Sequence, residues 1–103
     1  MERLDKLKEF LKASPDDSFI KHAMALEYQK SGDFATARKT FEDILAIDPG
    51  YIGSYYQLGK LLETMGENDT AIGWYQKGMA AAKAAGDQHA YNELQAAYED
   101  LVF

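Results

Sequence analysis

The stretch KSGDFATARKTFEDILAIDP (residues 30–49) is echoed 34 positions later by TMGENDTAIGWYQKGMAAAK (residues 64–83). Shifting the sequence by 34 pairs Met24 with Leu58, Ala25 with Gly59 and Tyr28 with Leu62. It also pairs Gly32 with Gly66, Ala37 with Ala71 and Phe41 with Tyr75. Size and polarity agree at each pair, while Pro49 closes the first copy only. A constant internal period of this length marks a stack of supersecondary units, each of which buries its apolar side against its neighbour.

Working outward, the chain reads as all helical. Ala, Leu, Glu, Lys and Gln dominate, no run of β-branched residues alternates with polar ones, and the only prolines are Pro15 and Pro49. Helix punctuation predicts six helices over roughly 2–13, 17–31, 34–47, 51–65, 68–85 and 87–102. Gly32, Gly66 and Gly86 stand where a helix ends in a left-handed residue, and Asp33, Asn68 and Asp87 follow as N-caps. Connections this short force successive helices antiparallel, which predicts a row of helical hairpins.

Ala25 and Ala37 flank the Gly32 turn as Gly59 and Ala71 flank Gly66, so each hairpin brings two small residues together. Small side chains let helix axes approach, and Met24, Tyr28 and Phe41 fill the wedge around them. Ala37, Phe41, Ile44 and Leu45 form one buried stripe at i, i+4, i+7 and i+8, repeated by Ala71, Tyr75, Gly78 and Met79. Backwards, Leu7, Leu11 and Pro15 lie 34 residues before Phe41, Leu45 and Pro49, so residues 2–15 read as the second half of a truncated repeat.

Forwards, the register is expected to slip by three, with Leu94 and Tyr98 recovering the step of Met24 and Tyr28 if the helix from 68 continues past Lys83. The last helix then caps the stack with Tyr91, Leu94, Tyr98 and Leu101. The expected organisation is one domain over 1–103, made of a half repeat (2–15), two repeats (17–49 and 51–85) and a capping helix (87–102). Lys21 replaces the aromatic that the second copy has at Tyr55, which predicts looser packing of the half repeat on the first hairpin. Gly73 and Gly78 fall inside one helix, each costing about 0.5–1 kcal/mol relative to alanine. Gly78 suits close approach of the next helix, whereas Gly73 has no such reason.

The pattern of large apolar, small, aromatic, glycine, small, aromatic and proline resembles the tetratricopeptide repeat. Its places are held by Met24, Ala25, Tyr28, Gly32, Ala37, Phe41 and Pro49, and again by Leu58, Gly59, Leu62, Gly66, Ala71 and Tyr75. The resemblance implies an all-α solenoid of helical hairpins whose first helices line a concave face that receives a peptide or a helix. By position, that face holds Phe19, His22, Leu26, Gln29 and Lys30, then Tyr56, Gln57, Lys60 and Glu63, then His89, Asn92 and Glu93. Phe19, Leu26 and Tyr56 are the expected apolar anchors. One subset of the family grips the terminal carboxylate of chaperone tails with lysines, asparagines and arginine. Here the matching positions hold His22, Leu26, Gln57, His89 and Glu93, so that clamp is not expected.

Composition excludes several classes. With 17 acidic residues against 11 basic ones the net charge is −6. There is no basic stripe to displace counterions from a phosphate backbone, so no nucleic acid is expected. No apolar run approaches the about 20 residues that span a bilayer. The opening MERLDKLKEF has no secretory core, which gives no membrane and a cytoplasmic address as expectations. Without cysteine there is no disulfide or thiolate chemistry.

His22 and His89 belong to no metal-binding or triad motif, and GENDTAIG lacks both the preceding strand and the Lys-Ser/Thr of a phosphate loop. No catalytic residue, metal or cofactor is therefore expected, and an enzymatic reading survives only through the two histidines. Trp74 reads either as a partner hot spot or as a half-buried convex residue. The leading expectation is a non-enzymatic protein-interaction module. Self-assembly into a homodimer is the alternative, suggested by uncovered end surfaces and the apolar tail LVF.

Overall fold

The structure, a computed structural model, describes residues 2–103; Met1, the first residue of the expected domain, lies outside them. It consists of α1 (Glu2–Ala13), α2 (Ser18–Lys30), α3 (Phe34–Ile47), α4 (Ile52–Thr64), α5 (Asn68–Ala85) and α6 (Gln88–Val102). These spans lie within one residue of the expected ones at each end, and no strand occurs among the described residues. Each helix packs on the next in sequence, and α4 also touches α6. The architecture is an all-α solenoid of helical hairpins.

The three turns share one hydrogen-bond scheme. At the first, Gly32 donates to the Gln29 carbonyl and Asp33 to that of Tyr28; Gly66 and Glu67, then Gly86 and Asp87, repeat the pair. This double closure requires a left-handed residue, which glycine alone supplies without a Cβ clash; φ is +87° at Gly32 and +71° at Gly86. Asp33 and Asp87 cap as expected, accepting from the amides of Thr36 and Ala90, and Asp17 does the same for Ile20. Asn68 does not. The residue before α5 is Glu67, whose carboxylate makes no cap bond and instead takes Arg38 Nη1 at 2.6 Å. Helix α5 has 18 residues against 14 in α3. The starts of α4 and α6, Ile52 and Gln88, are 36 positions apart, so the register slips by two rather than the expected three.

Ala25, Ala37, Phe41, Leu58, Leu62, Ala71 and Tyr75 are all enclosed in one core with Leu94 and Ala97 of α6. Close approach is paid for by specific rings. A Cβ added at Gly59 would lie 2.1 Å from the Tyr75 ring, and one at Gly78 would lie 2.6 Å from Tyr55 Cβ and 3.1 Å from Leu94. At Gly73 a Cβ would meet nothing within 4 Å. The half repeat keeps a separate cluster of Leu4, Leu7 and Met24, flanked by Leu11, Ile20, Ala23 and Tyr28, all from α1 and α2. Glu27, buried on α2, is neutralised there by Arg3 of α1 at 2.6 Å.

Candidate protein-interaction surface

Helices α2, α4 and α6 are neighbours along one side of the stack. On α2, Phe19, Leu26 and Lys30 follow at i, i+7 and i+11, a spacing that returns to the same side of a 3.6-residue helix. Phe19 is 71% exposed and Leu26 39%, and Lys30 is also open to solvent. They form the accessible stripe of this helix.

His22 is placed differently. Its ring sits half-buried in the seam between α2, α3 and α4, with Nδ1 hydrogen-bonded to Ser54 Oγ at 2.8 Å. The rings of Phe41 and Tyr51 lie 5.4 and 5.5 Å away. Burial lowers the His22 pKa below its ordinary 6.5. Below pH 6.5 the unfolded ring binds a proton that the folded ring refuses. The stabilisation is therefore complete above that pH and declines as pH falls towards the folded pKa. Replacing His22 by glutamine is expected to remove this part of the stability–pH slope, measured as urea midpoints of both proteins on either side of pH 6.5. An unchanged slope would place the titration elsewhere. Gln29 lies half-buried on the same helix, its Oε1 enclosed without a hydrogen-bond partner among the described residues.

On α4, Tyr56 is half-buried, its ring 6.4 Å from that of Tyr75. Lys60 Nζ lies 5.7 Å from the Tyr56 centroid and 3.7 Å from the Glu63 carboxylate. The Tyr75 hydroxyl donates to that same carboxylate. Burial first, and then this bond, push the Tyr75 pKa above the ordinary phenol range, so the ring stays neutral. Tyr56, Lys60 and Glu63 thus form one linked set, with Gln57 beside them half-buried. On α6, His89 and Asn92 are exposed; His89 lies 3.7 Å from Glu93, and Asn92 accepts a bond from Gln88. The structure therefore gathers Phe19, Leu26 and Lys30 on α2 and Tyr56, Lys60 and Glu63 on α4, while His22 turns inward.

Trp74 is half-buried against Tyr55, with ring centroids 6.2 Å apart, and Lys77 Nζ stands 4.5 Å over its face. Among the described residues no three His, Asp or Glu side chains are grouped to hold a metal ion. No helix there is long and apolar enough to cross a membrane.

Hairpins stacked at a constant period, with small residues at their crossings and capping turns between them, define an α-helical repeat protein. A family model described as tetratricopeptide repeat matches residues 28–98, and the chain belongs to the tetratricopeptide repeat family. No curated protein matches the sequence. The solution structure of a tetratricopeptide repeat domain protein from Salinibacter ruber is 38% identical, covering 84% of this chain and 88% of that one, with a TM-score of 0.81. Protein BPP2914 from Bordetella parapertussis is 27% identical over 96% of this chain and 86% of its own, with a TM-score of 0.82. MamA, at 18% identity over 96% of this chain and 64% of its own, superposes with a TM-score of 0.67 and shares the fold. Members of this family generally mediate protein–protein interaction and are typically non-catalytic.

Proposed function

We propose that this protein is a non-enzymatic interaction module that seats a peptide or a helix of a protein partner across α2, α4 and α6. Phe19, Leu26 and Tyr56 serve as its apolar anchors. The observation that carries this reading is the pair of large apolar side chains, Phe19 and Leu26, left open on one stripe. Fully burying an exposed side chain of this kind contributes about 1.5–3 kcal/mol, a range that Phe19 approaches and that Leu26, already mostly covered, falls short of. Lys30, at the end of α2, and Lys60, within α4, add positive charge with which an acidic side chain of the ligand can pair.

A peptide array probed with the purified chain supplies a ligand, whose dissociation constant is then measured calorimetrically. Phe19→Ala, Leu26→Ala and Tyr56→Ala are each expected to weaken it by roughly tenfold or more, as interface anchors do. Unchanged binding in all three variants would remove the surface from consideration. Light scattering on the free protein distinguishes this reading from self-association, in which a second copy would cover the exposed Phe10 and Phe103.

A further inference from the structure

We propose that the groove between α1 and α3 receives an aromatic side chain carried on an acidic segment of a protein partner. This site is separate from the surface proposed above. Lys21, Met24 and Tyr28 at its base lie two residues from Phe19 and Leu26, about 200° around helix α2, and so face the other side of the stack.

The groove encloses about 410 Å³, within the size range of small-ligand sites. Leu11 of α1, Met24 and Tyr28 of α2 and Ile47 of α3 give it apolar walls, and Ile47 is 64% exposed.

Its occupant is indicated by the internal repeat. Thirty-four positions after Lys21 and Thr40 stand Tyr55 and Trp74, whose rings pack together and close the equivalent space in the second hairpin. The first hairpin has neither ring. The Thr40 hydroxyl is turned onto its own helix, donating to the Thr36 carbonyl at 2.7 Å. Where the second copy holds an indole, the first holds an open apolar slot.

Charge selects the surroundings of that ring. In the second copy a cation, Lys77, covers the indole face; its counterpart 34 positions earlier is Asp43, so the first copy differs in charge at this place. In the first, Lys21 borders the groove and makes no ion pair among the described residues. Lys8 and Lys12 border the adjoining hollow that shares Leu11; Lys12 is paired with Glu9 at 2.9 Å, which leaves Lys8 without an ion pair there among the described residues. The carboxylate in the lining, Asp43, is held by Lys39 at 3.3 Å. A basic border on a chain of net charge −6 complements an acidic ligand.

The test is an NMR titration of the full chain with three capped peptides: Asp-Trp-Asp, Asp-Ala-Asp and Lys-Trp-Lys. The first is expected to give saturable shifts at Leu11, Met24, Thr40 and Ile47, and the other two to bind at least about tenfold more weakly. Thr40→Trp combined with Lys21→Tyr copies the second hairpin into the first and should abolish the shifts. Ile47→Asp, at an exposed wall where the fold tolerates it, should weaken binding about tenfold. Phe19→Ala should leave it unchanged, which separates failure here from failure of the α2–α4–α6 surface. Shifts confined to that other surface would overturn the proposal. So would equal binding of either control peptide, or wild-type affinity in both groove variants.

Discussion

Replacing Phe41 by alanine is expected to cost about 3–5 kcal/mol, the range for deleting a fully buried aromatic side chain. Phe41 is wholly enclosed, faces the His22 ring across the α2–α3 crossing, and belongs to the core shared by both hairpins. Domains of this size hold only about 5–15 kcal/mol of net stability, so this one change removes much of it. At about 4–8 °C per kcal/mol, the melting temperature should fall by at least about 12 °C. Thermal and urea unfolding followed by circular dichroism check this. A fall of only a few degrees would mean that neighbouring side chains collapse into the space.

Gly59→Ala is the second large effect, and its sign runs against helix propensity. Alanine favours an exposed helix interior over glycine by about 1 kcal/mol. At Gly59, however, the new methyl would sit 2.1–2.7 Å from three atoms of the Tyr75 ring. That ring cannot swing away, being fully buried and tethered through its hydroxyl to Glu63. Overpacking of this kind typically costs about 1–3 kcal/mol, occasionally more, and we expect a net loss of about 2 kcal/mol. Gly73→Ala, with nothing within 4 Å of its Cβ, is the matched control. It should raise stability by about 0.5–1 kcal/mol. If both substitutions stabilise, the α4–α5 crossing is not limited by the Tyr75 ring.

The helices and turns were legible because their signals are local and redundant. Gly32, Gly66 and Gly86 mark turns that no other residue closes as easily, and the small residues at 25, 37, 59 and 71 recur at a fixed period. What was not legible depends on partners far apart in the chain. Asn68 reads as the natural cap of α5, yet the boundary falls at Glu67, which Arg38 draws away from the helix start. Glu27 is buried on α2 beside Arg3 of α1, a pairing that no local pattern in the sequence marks. His22 and Phe19 lie about 60° apart on the first helix of a hairpin, yet Ser54, Phe41 and Tyr51 enclose the one while the other stays in water. The groove between α1 and α3 left a trace in the sequence, Lys21 and Thr40 standing for Tyr55 and Trp74. The Lys21 substitution signalled a weaker junction, and only the structure shows that the weakness is a slot.

The separate cluster beneath α1 makes this helix the breathing edge of the molecule. Its apolar contacts come from α1 and α2 and share Tyr28 with the larger core, so as the outermost unit of a one-dimensional stack it has the least packing to hold it in place. Any molecule wedged between α1 and α3 would be released whenever the edge peels back, and while bound it would hold the edge shut. For an occupant of the proposed groove, residence time would then follow how often the twelve-residue α1 unzips.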